Sequence, residues 1–242
     1  MRIFLAGAAG VIGRRLVPLL LGAGHHVVGT TRSMSKAELL LAAGVEPVVL
    51  DVFDGELLSQ AVSAARPDIV IHQLTDLPSS LDPGQMAEAR LRNARLRREG
   101  TQNLVSAMLA SGTRRLIAQS IAWMYAPGAQ PYSEGDPLDI HAEERTRAIS
   151  VAAVTTLERL VCSSPPIEGT VLRYGRLYGP NTGSDIAGEA PSLHVDAAAW
   201  ATLLAIEKSR AGTYNIAEPN AYLSIDKARR ELGFDPDFRM DA

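Results

Sequence analysis

Residues 5–13 read LAGAAGVIG, and this stretch decides the fold. Its three glycines directly follow a short apolar segment, Ile3–Ala6, and open a helix-like segment over residues 11–22. Glycine permits so tight a turn, and the missing side chains let a pyrophosphate approach the helix N-terminus, where free N–H groups and the helix dipole favour anions. The residues of this loop expected to bind a dinucleotide are Gly7, Ala9, Gly10, Val11, Ile12 and Gly13.

Short apolar runs alternate with longer helical patterns along the rest of the chain. The predicted strands are Ile3–Ala6, Val27–Thr31, Pro47–Leu50, Ile69–Gln73, Leu116–Ser120, Val171–Tyr174 and Tyr214–Ile216. The predicted helices cover about 11–22, 35–43, 55–65, 84–111, 140–162, 196–208 and 224–232. This alternation predicts an α/β fold, a Rossmann-type doubly wound parallel sheet, whose ligand crevice lies at the carboxyl ends of the strands.

Composition excludes several classes of function. The 242 residues carry a net charge of −3, so nothing suggests a nucleic-acid partner, and the arginine-rich run at 90–100 is interpreted as a solvated helix face. A single cysteine, Cys162, excludes an internal disulfide and a metal site of paired cysteines, and no histidine spacing predicts a metal site. No run approaches the ~20 apolar residues of a membrane span, and the N-terminus has no leader layout. We expect one cytoplasmic domain over residues 1–242.

The end of the second strand indicates which dinucleotide binds. Residues 27–33 read VVGTTRS, so Thr31 stands where an NAD site usually has a carboxylate, and Arg32 follows. A guanidinium in place of a carboxylate favours a 2′-phosphate through charge-assisted hydrogen bonds. NADP is therefore the expected cofactor, and NAD is the alternative. The alternative interpretation of Arg32 is that of an ordinary surface residue.

Motifs in a fixed order resemble those of the short-chain dehydrogenase/reductase superfamily, in its extended branch of NAD-dependent epimerases and dehydratases. They are GAAGVIG at 7–13, LDV at 50–52, GTQNLVSAM at 100–108, LRYGRLYGP at 172–180, LHVDAAAWATLLAIE at 193–207 and KARRELGF at 227–234. The resemblance implies that Asp51, with Val52, contacts the adenine and that Gln73, Leu74 and Thr75 line the ribose side. It also implies a homodimer through the helices at 84–111 and 140–162.

The proton relay of that family is missing. Its members use a YxxxK pair on the helix after the fifth strand and a Ser or Thr at the end of that strand. Counting back from Glu158, the family's Lys corresponds to Val154 and its Tyr to Ser150, so the motif reads SVAAV. Ile121 takes the place of the Ser or Thr, with Ser120 one residue before it.

Other polar residues near the predicted crevice are candidates for the missing chemistry. Ser120, Tyr125 and Ser150 are the expected catalytic residues, although packing or capping roles explain them as well. His72 is either a general acid or a satisfied core residue. Arg97 is interpreted as part of a solvated helix face, and either Arg173 or Arg176 is expected to bind an anionic group of the substrate.

The C-terminal substrate lobe is short. Only 13 residues, 181–193, separate the YGP segment from His194, so the substrate-binding elements are reduced to about 176–195 and 216–242. The sequence supports an NADP(H)-preferring oxidoreductase acting on a small carbonyl or hydroxyl substrate. The alternatives are a non-catalytic NADP(H)-binding sensor or regulator and, third, an epimerase- or dehydratase-type isomerase or lyase.

Overall fold

The computed structural model of the chain describes residues 1–78, 83–208 and 211–240. A seven-stranded parallel sheet forms its centre, in the order β3-β2-β1-β4-β5-β6-β9. The nine strands are β1 (Arg2–Ala6), β2 (His26–Thr31), β3 (Glu46–Val49), β4 (Ile69–His72), β5 (Arg115–Ile121), β6 (Glu168–Tyr174), β7 (Arg176–Tyr178), β8 (Ser192–His194) and β9 (Gly212–Ile216). The predicted fold class is confirmed, since this is a Rossmann-type sheet.

Helices cover both faces of the sheet. They are α1 (Val11–Gly22), α2 (Met34–Ala42), α3 (Gly55–Ala65), α4 (Pro83–Arg95), α5 (Thr101–Ser111), α6 (Arg145–Cys162), α7 (Val195–Lys208) and α8 (Asp226–Leu232). Alternate residues of the strands enter two separate apolar cores, so that β1 buries Ile3 and Leu5 on one face and Phe4 on the other. None of the described helices has the length and apolar character needed to cross a membrane.

Two predicted helices differ in detail from those observed. The helix predicted at 84–111 is interrupted by a π-helical turn, Leu96–Gly100, between α4 and α5. The helix predicted from residue 140 begins at Arg145, because the Glu144 carboxylate accepts the N–H groups of Thr146 and Arg147 and caps the helix there. Residues 76–84 read DLPSSLDPG, a composition typical of a loop, and residues 79–82 lie outside the described part of the chain.

The reduced substrate lobe is confirmed as a small cap beside the carboxyl ends of β5, β6 and β9. It contains the two-stranded sheet β7-β8, which was not predicted, and the short helix α8. Within the cap, the Arg176 N–H donates to the Pro191 carbonyl at 2.7 Å and the Glu218 N–H donates to the Ser192 carbonyl at 2.9 Å. The crevice of this fold therefore lies between the glycine loop and this cap.

Candidate functional site

The glycine loop has the close backbone packing that its sequence predicts. Gly7 has a φ of +93°, and its N–H donates to the Thr30 hydroxyl at 3.2 Å. A Cβ on Gly13 would lie 2.3 Å from the Gly7 carbonyl oxygen, so no other residue fits there without moving the backbone. No side chain caps the N-terminus of α1 at Gly10, which leaves its first N–H groups open to an anion.

A cavity of about 280 Å³ opens beside this loop and fits a dinucleotide in its chemistry. It is bounded by the loop, by the end of β2, by the turn after β3 and by the segment after β4. The predicted residues that line it are Gly7, Ala9, Gly10, Thr31, Arg32, Asp51, Val52, Gln73, Leu74 and Thr75. Val11, Ile12 and Gly13 do not line it and stand in the first turn of α1, where their backbone faces the loop.

The β2 end of the cavity is cationic. Arg32, Ser33 and Lys36 line it together with Thr31, and Ser33 caps α2 by accepting the Lys36 N–H at 3.4 Å. Arg32 also forms an ion pair with Asp76 across the cavity mouth, at 3.6 Å. Sequence reasoning missed Ser33 and Lys36, although the spacing RSMSK at 32–36 places both of them on the first turn of a helix.

The side of the cavity after β4 has one unsatisfied polar atom. Gln73 is buried, and its amide nitrogen donates to the hydroxyls of Tyr174 and Thr202, at 3.2 and 3.3 Å. Its Oε1 has no hydrogen-bond partner within the described chain. The Gln73 side chain therefore links the end of β4 to β6 and α7 in the interior.

Ser120 belongs to a buried ion-pair network. Its hydroxyl donates to Glu158 Oε1 at 2.8 Å, and Arg173 binds the same carboxylate through two N–H groups, at 2.9 and 2.6 Å. Ser120, Glu158 and Arg173 are all buried. The network connects β5, β6 and α6, so the observed partners give Ser120 and Arg173 a structural function.

Tyr125 is held in the same network. Its hydroxyl accepts from Arg173 at 2.8 Å and donates to Asn215 at 2.6 Å, while its ring stacks on Tyr132 with centroids 5.0 Å apart. Burial raises the pKa of Tyr125, which keeps the phenol protonated at neutral pH. With 2% of its surface exposed, this side chain is an interior crosslink.

An apolar patch takes the place of the family's relay. Its members are Ile121, Trp123, Met124, Leu138, Val151 and Val154. Val154 is completely buried, and the hydroxyl of the nearby Ser150 donates back to the Thr146 carbonyl of its own helix at 2.9 Å. Val154 therefore has no group that exchanges a proton, and the proton of the Ser150 hydroxyl is engaged by its own helix.

His72 is a satisfied core residue. Its Nδ1 accepts the Leu74 N–H at 3.2 Å, so the proton lies on Nε2, which contacts the Thr101 hydroxyl at 3.1 Å. Burial, followed by the charge of Arg97, lowers the pKa of His72 to about 4. The imidazole is neutral at pH 7.

Arg97 does not lie on a solvated helix face as the sequence had suggested. It stands in the π-helical turn, which packs against α6, and burial lowers its pKa to about 10 against the opposing charge of Glu158. The extra residue of a π turn rotates the following side chains relative to an α-helix. Spacing of four residues places Arg97 one turn after Asn93, which is buried as well.

Arg176 extends the apolar patch at the cap. Its guanidinium carbon lies 4.8 Å from the ring centroid of Trp123. Sequence reasoning named Arg176 but missed Trp123, which is half-buried on the loop after β5. No group of metal-ligating side chains occurs within residues 1–78, 83–208 and 211–240.

A family model agrees with this geometry. The model described as the NAD dependent epimerase/dehydratase family matches residues 3–195. The chain belongs to the NAD-dependent epimerase/dehydratase family. It is therefore a nicotinamide-dinucleotide-dependent enzyme of the oxidoreductase type, and the resemblance found in its motifs is confirmed.

Proteins of known activity resemble this chain either in sequence or in structure alone. It is 42% identical over 238 residues to a 3-diazoavenalumate denitrifying reductase of a Streptomyces species, covering 90% of this chain and 76% of the relative. Among solved structures, UDP-glucose 4-epimerase of Thermotoga maritima matches with a TM-score of 0.78 at 20% identity, over 99% of this chain and 94% of that one. DesIV, the dTDP-glucose 4,6-dehydratase of Streptomyces venezuelae, matches with a TM-score of 0.79 at 17% identity, over 99% and 93%. These two likenesses concern the fold.

Proposed function

We propose that this enzyme is an NADPH-dependent reductase that replaces the diazonium group of an aromatic substrate by hydrogen. The observation that carries the proposal is the apolar patch at the relay positions. Reduction of a carbonyl needs a proton for the new hydroxyl, and Ser150, Val154 and Ile121 supply none. A reaction that needs hydride but no proton suits such a site.

Loss of dinitrogen is a reaction of this kind. A bound NADPH supplies the hydride, and its electron pair forms the new C–H bond on the carbon that carries the diazonium group. The C–N bond breaks with its electron pair on nitrogen, N₂ leaves and NADP⁺ remains, so the step is balanced without an acid or a base. The name of the relative that is 42% identical, a denitrifying reductase of a diazo compound, supports this assignment.

In this proposal the hydroxyls of Ser120, Tyr125 and Ser150 do not exchange protons with the substrate. Ser120 and Tyr125 hold β5, β6 and β9 in register through Glu158, Arg173 and Asn215, and thereby fix the floor of the site. Val151, Val154 and Met124 exclude water beside the hydride acceptor, which protects a diazonium carbon from attack by water.

The preference for NADPH rests on the cationic end of the cavity. Arg32 and Lys36 provide two positive charges beside the cap of α2, and Thr31 adds no carboxylate at the end of β2. A 2′-phosphate at this position would displace Asp76 from Arg32, replacing an exposed ion pair at 3.6 Å with charge-assisted hydrogen bonds. The same residues provide no comparable partner for the 2′-hydroxyl of NAD.

The test is isotope transfer from labelled NADPH. The purified enzyme is given 4-carboxybenzenediazonium and NADPH that carries deuterium on one or the other face of the nicotinamide, with a protein-free mixture as control. We expect benzoate with one deuterium from only one of the two labelled forms, one N₂ for each NADPH oxidised, and a rate that varies little between about pH 6 and about pH 9 because no side chain must titrate.

Two results would contradict the proposal. Turnover no faster than the protein-free control would exclude the diazonium substrate. Oxidation of NADPH by simple aldehydes or ketones, with a rate governed by a titrating group, would instead support the carbonyl reductase that the sequence first suggested.

A further inference from the structure

Arg176 differs from the arginines around it. Arg147 pairs with Asp139 at 2.5 Å, Arg173 with Glu158 at 2.6 Å and Arg239 with Glu218 at 3.2 Å. Arg176 has no carboxylate partner in the described part of the chain and contacts only the ring of Trp123 through its guanidinium. It stands at the first position of β7, just past the carboxyl end of β6, on the wall of the crevice.

The contact with Trp123 leaves the hydrogen-bonding edge of Arg176 available. A guanidinium stacked on an indole uses its flat face, while its N–H donors project in the plane from the edge. The backbone of Arg176 is held by the pairing of β7 with β8 and by its N–H bond to Pro191. The charge is therefore positioned in advance, and its donors match the two oxygens of a carboxylate.

Aromatic surface surrounds this charge. Tyr222, half-exposed on the loop before α8, packs edge-on against Tyr132 with ring centroids 5.1 Å apart. Tyr132 stacks in turn on Tyr125, and the Arg147 side chain donates to the carbonyls of both Tyr125 and Trp123, which links Tyr222 to the region around Trp123. Trp123 also packs in the apolar patch at the relay positions, so this aromatic surface adjoins that patch.

We propose that Arg176, Trp123 and Tyr222 form the substrate subsite, in which Arg176 binds a carboxylate and the two rings hold an aromatic group next to the apolar patch. The subsite selects aromatic carboxylates. This inference rests on the proposed function for the reaction that follows, but the binding of the acid is independent of it.

Binding is measured first, because it does not depend on turnover. The chain has two tryptophans, and Trp200 stacks on Phe238 away from this subsite. A Trp200→Phe variant therefore makes Trp123 the only tryptophan reporter. This protein, saturated with NADP⁺, is titrated with 3-phenylpropanoate, its amide and 3-cyclohexylpropanoate while indole fluorescence is recorded.

We expect saturable quenching by 3-phenylpropanoate and about 10- to 100-fold weaker binding of the amide, which lacks the charge. Adding Arg176→Gln should weaken the binding of 3-phenylpropanoate by the same factor and leave the binding of the amide unchanged. Arg176→Lys should restore part of the affinity for the acid. Arg230→Gln, which removes an exposed arginine on α8, is the matched charge control and should change nothing. Equal binding of acid and amide, or an acid affinity that is the same in Arg176→Gln, would overturn the subsite.

Turnover then separates the two proposals. With 4-carboxybenzenediazonium, Arg176→Gln should raise KM about 10- to 100-fold with little change in kcat, and with the methyl ester it should change neither. Quenching that depends on Arg176 without any loss of N₂ would leave the subsite standing and contradict the diazo reaction. Release of N₂ that depends neither on Arg176 nor on the substrate carboxylate would support the diazo reaction and contradict the subsite.

Discussion

The glycine-loop end of the crevice and the relay end, where β5 meets α6, treat their polar groups in opposite ways. At the glycine loop, backbone N–H groups, Arg32 and Lys36 face a cavity. At the relay end, the polar side chains of Ser120 and Glu158 face each other inside the protein, and the crevice side is apolar. The chain thus has the backbone shape of a dinucleotide site, but it lacks the two side chains of the family's proton relay.

The largest effect is expected from filling the glycine loop. Gly13→Val would place a side chain within 2.5 Å of the Gly7 and Ala8 carbonyl oxygens and should abolish NADPH binding, measured by calorimetric titration. Gly22→Ala in the same helix meets nothing within 4 Å, so it is the matched control and should bind normally. Normal binding by Gly13→Val would mean that the loop does not hold the cofactor.

The second largest effect is expected on the free energy of unfolding, from removal of the buried Glu158 carboxylate at the relay end. Glu158→Gln leaves Arg173 buried without its charge partner, and such losses typically destabilise a protein by about 3–5 kcal/mol. Urea denaturation measures the change in the free energy of unfolding, with Glu38→Gln at an exposed position of α2 as control. A loss below about 1 kcal/mol would show that the network is not a structural crosslink.

Acid should destabilise the protein through His72. Because burial lowers the pKa of His72 from 6.5 to about 4, the unfolded state takes up a proton first as the pH falls. The contribution to stability is intact above about pH 6.5 and declines by roughly 3 kcal/mol towards pH 4. His72→Gln should flatten this part of the pH dependence, and an unchanged slope in the variant would refute the assignment.

A smaller and selective effect should follow from the cations at the end of β2. Arg32→Gln should weaken the binding of NADPH by about tenfold or more and leave the binding of NADH nearly unchanged, because only NADPH carries the 2′-phosphate. Lys36→Gln should act in the same direction. Equal losses for both cofactors would refute the proposed preference for NADPH.

The smallest effect is expected at the position that corresponds to the family's tyrosine. The Ser150 hydroxyl bonds only to a carbonyl of its own helix, so Ser150→Ala should change stability by less than about 1 kcal/mol and leave the diazonium turnover unchanged. A large loss of kcat would instead make Ser150 a catalytic residue and restore the sequence-based expectation.

Sequence patterns predicted the glycine loop and the sheet, but not the partners of the polar side chains at the relay end, for a physical reason. Glycine spacing and strand alternation are local, so the loop at 7–13 and the sheet could be read from neighbouring residues. The partners of Ser120 and Tyr125 are not local: Glu158 and Asn215 lie 38 and 90 residues further along the chain. The π turn at Leu96–Gly100 likewise has no signal in the periodic pattern of the predicted helix.

The tight packing of the apolar patch also bears on how this chain could change over evolutionary time. Val154 is completely buried and Ser150 nearly so, and tyrosine and lysine are much larger than the residues they would replace. Overpacking of this kind typically costs about 1–3 kcal/mol at each site, and the new lysine would also lose its hydration. Two reverting substitutions would therefore destabilise the protein before they produced a working relay. Introducing the family's relay therefore requires that Trp123 and Met124 make room first.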